Sequence, residues 1–420
     1  MNRIVGFSGA RGTFLLATCL ILCLTLSACA NSEKSAKDSA NATTTVAAPA
    51  NAIAAAPAAP PVALPHDEAV LAATKLVFTN ANLPAEQKFS LVIDPLLDGV
   101  TGVQSLATAA MEKRLVALIK ADYPQVEVKP FNAANVAAQP LILVGTFTPI
   151  NLQGKAEGEK DAYRICFSLA DLKTAKIIGK ARTFSKPEGF DSQPLPFFGD
   201  SPVWVNDKVI DGYIKMCQAS KVGDAINDAY LAAITVSSAV DEAQRAYHAK
   251  KYKDALALYN AILKMPSGDQ PRVQVGIYLS NLKLNRREDA MNAFAKLVRT
   301  GLDSQRLAVK FNFKPGTAGF AADAGINERW LKEIAKQSAQ QTACIEVNGH
   351  SSRGNSETLN ERISLQRAEF VKQRMGLEVK ELKQRLTTQG FGSKKTMVGT
   401  GKDDLSDALD RRVEFKPTAC

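Results

Sequence analysis

Apolar residues recur along this chain with several periods, and each period marks a different kind of segment. Phe14 to Leu24 is an apolar run broken only by Thr18, continuing through Thr25 and Leu26 to the small residues Ser27 and Ala28. With Arg3 and Arg11 ahead of it, this run is too short to span a bilayer and reads as a secretory signal over residues 1–28. Residues 31–65 show no period: 13 Ala and 5 Pro in 35 positions, no aromatic residue and four charges. Such a segment cannot build a core, so a disordered tether is expected over 29–67. Pro49, Pro57, Pro60 and Pro61 interrupt the helix that so much alanine would otherwise favour. The tether would span roughly 33 Å as a flexible coil and about 110 Å if stretched.

Residues 68–220 alternate between strand and helix patterns. Ser90-Leu91-Val92-Ile93 is a short buried-strand run that ends at Asp94-Pro95, and Gly99-Val100-Thr101-Gly102 turns into a helix carrying Leu106, Ala109, Ala110, Leu115, Leu118 and Ile119. Further strands are expected at Val126 to Phe131, Leu141 to Phe147, Tyr163 to Leu169 and Lys176 to Phe184, which together predict an α/β layer domain. Asp94 and Asp98 suggest either a cation site or turn caps. Residues 186–206 carry four aromatic residues and four prolines without period. They form either an exposed binding loop or packing across the domain surface.

From Asp224 to about Leu302 the period is helical. A shift of 35 places Tyr247 over Leu282, Ala255 over Ala290, Tyr259 over Phe294 and Leu263 over Val298. The last block, 303–420, begins with a half-buried strand at Val309 to Phe313 and a helix marked by Trp330, Ile334 and Ala335. A strand at Ile345 and Val347, a helix from about Thr358 to Met375, and strands at Leu386 to Gln389 and Arg412 to Phe415 complete a βαβαββ order. The whole predicts an α+β multidomain chain: an α/β layer domain, a helical-repeat middle over 221–302 and a carboxy-terminal βαβαββ sandwich.

Composition changes this picture only a little. The 420 residues carry 52 Lys and Arg against 42 Asp and Glu, a net +10, with no block of five like charges. The excess is weak evidence for nucleic acid and fits an anionic surface nearby. Removing residues 1–28 takes away two Arg and no acid, leaving +8. Three scattered His nearly exclude a His-rich metal site, and no nucleophile–base constellation or phosphate-loop spacing is present, so neither an enzyme nor a cofactor is expected. In an oxidising compartment Cys166, Cys217, Cys344 and Cys420 allow three pairings. Domain-local pairs, Cys166 with Cys217 and Cys344 with Cys420, are expected, with free buried thiols as the alternative.

Four resemblances refine the reading. Leu26-Ser27-Ala28-Cys29 resembles the lipobox of bacterial lipoproteins, which implies lipidation of Cys29; Ala30, in place of a retaining Asp, implies the outer membrane, with the chain facing the periplasm. Several acyl chains make a stable anchor where one would be marginal. The 35-residue period resembles tetratricopeptide repeats, with a plain helical hairpin as the alternative. The order of residues 68–220 is similar to periplasmic lipoprotein domains that activate cell-wall synthases or serve curli secretion.

The strongest resemblance covers Leu307 to Pro417. Gly349-His350-Ser351-Ser352, then Asn360-Glu361-Arg362-Ile363-Ser364-Leu365-Gln366-Arg367-Ala368, then Asp410-Arg411-Arg412-Val413-Glu414 resemble the successive motifs of the OmpA-like peptidoglycan-binding domain, with Gly390-Phe391-Gly392-Ser393 between the last two. The resemblance implies non-covalent binding of the diaminopimelate in peptidoglycan stem peptides. Arg367 would clamp its carboxylate, Ile363 would form an apolar wall, and His350, Ser351, Ser352 and Asn360 would shape the pocket. An internal ion pair of Arg367 with Glu346 is the alternative. Arg411 and Arg412 are expected to flank the pocket or brace the sheet. Ser352 stands where the family has Asp, and Asn355 where it has Gly. Losing that charged partner costs about 1.5 to 3 kcal/mol, enough to weaken micromolar binding toward millimolar. Glu357 or Glu346 would have to compensate. The expected function is a link between membrane and wall; the alternative is a periplasmic adaptor that recruits a protein partner.

Overall fold

In the chain's computed structural model residues 62–156, 158–321, 325–402 and 404–420 are described. The expected signal, Cys29 and the expected tether up to residue 61 lie outside them. The described chain opens with Leu64, whose N–H donates to Phe184 O at 2.9 Å, while Lys186 N–H donates back to Leu64 O at 2.8 Å. The structured region thus starts before residue 68, because Leu64 borrows the edge of a strand.

Helix α1 (His66–Ala81) follows, with Asp67 and Glu68 in its first turn, where carboxylates suit the positive end of the helix dipole. Its register is not among the expected elements. It lies on a mixed sheet formed by β1 (Phe89–Ile93), β2 (Leu97–Asp98), β3 (Val126–Lys129), β4 (Leu141–Ile150), β5 (Ala162–Asp171) and β6 (Lys176–Ser185). The strand order is β3-β1-β4-β5-β6, with β2 beside β4; the first three neighbours are parallel and β4-β5-β6 antiparallel. Between β2 and β3 runs α2 (Leu106–Asp122), started by a capping box in which Thr108 N–H donates to Ser105 Oγ and Ser105 N–H to Thr108 Oγ1. A short α3 (Ala133–Ala137) precedes β4.

All ten residues of β4 are buried, because both faces of the sheet are covered. Leu141 and Leu143 join α1 and α2 in one core, with Val70, Val77, Leu115 and Ile119. Ile142 and Val144 join the other core, against α5 (Lys208–Gln218) and α6 (Asp228–Leu231). Asp207 caps α5, accepting from Val209 N–H at 2.9 Å. A disulfide from Cys166 on β5 to Cys217 on α5 joins helix to sheet, with 5.8 Å between Cα atoms. Asp98 serves as a turn cap, accepting from the N–H groups of Val100 and Thr101 at 3.0 and 2.7 Å. Among the described residues no cluster of potential metal ligands occurs.

Residues 186–206 hold α4 (Pro196–Asp200) and β7 (Val203–Val205). Four helices follow: α7 (Ile234–His248), α8 (Tyr252–Ile262), α9 (Pro271–Lys283) and α10 (Arg287–Asp303). The positions paired by the 35-residue shift have matching surroundings where the side chains are small or aromatic: Ala255 and Ala290, and Tyr259 and Phe294, are all buried. Gly276 on α9 sits against the Tyr259 ring, so close that a Cβ there would overlap it.

The last block contains β8 (Leu307–Val309), α11 (Gly325–Gln340), β9 (Cys344–Gly349), α12 (Glu357–Glu378), β10 (Leu386–Gly390) and β11 (Val413–Thr418). This is the expected βαβαββ order, although the first strand ends at Val309 and Phe313 makes only an isolated bridge to Phe320. The sheet has the order β10-β9-β11-β8-β7. Its fifth strand, β7, comes from the segment 186–206, pairing antiparallel with β8. A single core joins this sheet to the helices: Trp330 Nε1–H donates to the Tyr278 hydroxyl at 2.9 Å, and Phe294 stacks on Trp330 at 6.0 Å. The described residues from 62 onward accordingly fall in one compact unit. A second disulfide, Cys344–Cys420, ties the carboxy-terminal end to the start of β9. No helix of the described residues is long and apolar enough to cross a membrane.

Candidate functional site

Gly349 ends β9 directly against α12, and a Cβ there would collide with the carbonyl of Ser364. This close approach delivers His350, Ser351 and Ser352 into the turn between strand and helix. His350 stacks on Phe391 with ring centres 5.2 Å apart, and its Nε2 stands 3.7 Å from Glu414 Oε2. Burial, with Arg412 beside it, pushes its pKa down to about 3, so the imidazole is neutral. Ser351 N–H donates to Gly392 O at 2.9 Å, and Gly392 N–H donates to Ser364 Oγ at 2.9 Å. Asn360 Nδ2–H donates to Asn355 O at 3.1 Å, holding the turn that precedes α12. These bonds knit β9, α12 and the 390–393 segment into one piece.

Arg367 lies two turns along α12 from Asn360, in the middle of the buried stripe that includes Ile363, Ser364 and Ala368, and is only 8% exposed. Its guanidinium carbon lies 4.8 Å from the centre of the Phe313 ring, and Nε–H donates to Thr317 O at 3.1 Å. These contacts hold the side chain on the segment after β8. Glu346, the partner named for an internal ion pair of Arg367, lies across from Lys416 on β11 at 3.6 Å. Glu357 is likewise committed, accepting from Ser393 N–H at 3.1 Å.

Arg367 lines a cleft of about 340 Å³ together with Asp200, Lys310, Phe313, Trp330 and Arg411, among others. His350, Ser351, Ser352, Asn360 and Ile363 are not part of that lining. Of the expected set this lining includes Arg367, while His350, Ser351 and Ser352 follow β9 and Asn360 and Ile363 lie on α12. Arg411 flanks the cleft, donating to Asp404 O at 2.7 Å. Arg412 braces the sheet: 2% exposed, it pairs with Glu414 at 2.7 Å and donates to Leu409 O and Lys395 O, both at 3.2 Å. Asp410 holds the neighbouring loop by accepting from the N–H groups of Met397, Val398 and Gly399.

Two residues of the cleft have no counterpart in the sequence reading. Lys310 donates from Nζ to Phe198 O and Gly199 O, each at 3.1 Å, and burial lowers its pKa to about 8. Asp200 accepts from the Tyr247 hydroxyl at 2.6 Å and pairs with Lys283 Nζ at 2.9 Å, both through Oδ2. Neither belongs to a local motif, since both depend on the pairing of β7 with β8.

The OmpA family pattern matches residues 312–408. No curated protein matches the chain. Among solved structures, the cell wall anchor of the T6SS from Pseudomonas aeruginosa is similar at 21% identity, covering 27% of this chain and 81% of that one, with a TM-score of 0.24. The peptidoglycan-associated lipoprotein from Burkholderia pseudomallei is similar at 20% identity over 26% of this chain and 89% of that one, TM-score 0.23. The periplasmic domain of Helicobacter pylori MotB follows at 16%, over 27% and 75%, TM-score 0.23. The carboxy-terminal block of this chain thus carries an OmpA family domain at residues 312–408.

Proposed function

We propose that this chain is a non-enzymatic outer-membrane lipoprotein, anchored through Cys29 and a tether, whose OmpA family domain binds peptidoglycan non-covalently and so links membrane to wall. The observation that carries the reading is Arg367, a guanidinium held against Phe313 in a cleft wide enough for an amino-acid end group. A planar guanidinium can engage a carboxylate through two parallel hydrogen bonds, the geometry suited to the free carboxylate of diaminopimelate in a stem peptide. The full chain in detergent is expected to co-sediment with purified sacculi, and Arg367→Ala to weaken this at least tenfold, in keeping with about 1.5 to 3 kcal/mol for a charged hydrogen-bonded contact. Equal sedimentation of the variant would remove Arg367 from the site.

A second reading, a periplasmic adaptor, is favoured by a separate polar groove of about 340 Å³ on α8, α9 and α10, which includes Asn260, Asn281, Arg286 and Lys296. We read those helices as two tetratricopeptide-like repeats that present this groove to a protein partner. Crosslinking in cells distinguishes the roles: a pure tether yields wall material, an adaptor a defined protein attached through α8–α10.

A further inference from the structure

The cleft around Arg367 is built from two distant parts of the chain, and the second part brings a carboxylate. β7 runs antiparallel to β8 with Val203 opposite Val309, so residues before β7 pass alongside residues after β8. Lys310 N–H continues the ladder by donating to Pro202 O at 2.8 Å. Asp200 consequently shares the cleft with Phe313, the ring on which Arg367 rests. Its side chain is fixed by Tyr247 and Lys283, and both contacts fall on Oδ2, which leaves Oδ1 for another donor. Its backbone is fixed as well, since Lys310 holds the carbonyls of Phe198 and Gly199.

We infer that Asp200 is the anionic half of the ligand site and binds the ammonium group of an amino-acid end whose carboxylate Arg367 holds. The inference rests on the reading of Arg367 as the carboxylate clamp. It accounts for a deficit visible in the sequence: Ser352 cannot supply a charge, whereas a carboxylate lines the cleft from the α4–β7 segment. A basic side joined to an acidic side selects a zwitterion over a plain carboxylate, because an unmatched charge on either side would be desolvated without a partner. The OmpA family domain would then read its ligand only with residues 199–202 in place.

The test uses the full chain in detergent, with Trp330 in the cleft as fluorescence reporter, and two tetrapeptides ending in diaminopimelate, one with its terminal amine free and one with it acetylated. The wild type is expected to prefer the free amine about tenfold. Asp200→Asn should remove that preference by weakening only the free-amine peptide, Asp200→Glu should restore part of it, and Arg367→Ala should lose both peptides. If Arg367→Ala loses both while Asp200→Asn keeps the full preference, Asp200 is not the ammonium partner and the clamp stands. If Arg367→Ala binds like the wild type, the clamp itself is wrong. Should Asp200→Asn not fold, Lys283→Met removes the cation that competes for the carboxylate and should tighten free-amine binding alone; unchanged binding would overturn the inference.

Discussion

Cut at residue 303, the carboxy-terminal block is expected to self-associate or lose its fold, although the family match lies wholly inside it. Without residues 203–205, β8 becomes an exposed edge, and unpaired edges of this kind recruit other strands. Val203 and Val205 are buried against the sheet, so the loss of their packing and of the β7–β8 ladder costs on the order of 5 kcal/mol. The cut also strips α9 and α10 from α11, exposing Trp330, Leu331 and Ile334 and leaving the indole N–H without Tyr278. Together these losses rival the whole stability of a typical domain, about 5 to 15 kcal/mol. Size-exclusion chromatography of fragment 303–420 beside the full chain in detergent decides the matter. A monomeric fragment that melts as a single cooperative unit near the full chain's temperature would show that the shared core contributes little.

The same junction explains which parts of the fold were legible in the sequence. The βαβαββ order was readable because its helices bury one stripe and its motifs are local: Gly349 at the strand end, Asn360 before the stripe, Arg412 with Glu414. In the α/β block β4 was found as a continuous apolar run, and its coverage on both faces explains why alternation was absent there. α1 escaped because its first buried turns include the small residues Ala69 and Ala73, which continue the alanine-rich composition of residues 31–65, and its packing becomes apparent only against Gly179 of β6, where a Cβ would strike Val77 O. The three residues of β7 are too few for any periodic signal. Their partner lies about a hundred residues away, so the acidic wall of the cleft was invisible while its arginine was plain.

Heating the full chain at a series of pH values is expected to give the highest melting temperature near pH 4, with a clear decline toward pH 7. The cause is a buried polar seam between the first sheet and the helices. Tyr230 donates to Asp94 Oδ2 at 2.7 Å, Leu96 N–H donates to Glu112 at 3.4 Å, and Asp241 pairs with Arg245 on α7. Burial raises the pKa of Asp94 and of Glu112 to about 7 and that of Asp241 to about 6. In the unfolded chain these groups titrate near 4, so from about pH 4 to 7 the folded state holds more protons and stability falls as pH rises. A shift of one unit corresponds to about 1.4 kcal/mol, so even partial expression of three coupled shifts gives a few kcal/mol. His350 opposes this on the acid side: its pKa lies below the unfolded value, so its contribution is present above about 6.5 and is lost as pH falls toward 3. Glu414, held low by Arg412 against its own burial, acts in the same direction at the lowest pH. Asp94→Asn keeps an acceptor for Tyr230 but cannot ionise, and should flatten the decline between pH 4 and 7. His350→Gln should instead lift the acid side alone. A melting temperature that climbs from pH 4 to 7 would mean that water or rearrangement relieves these carboxylates, and the seam would then be a hydrated interface between the α/β block and the helices.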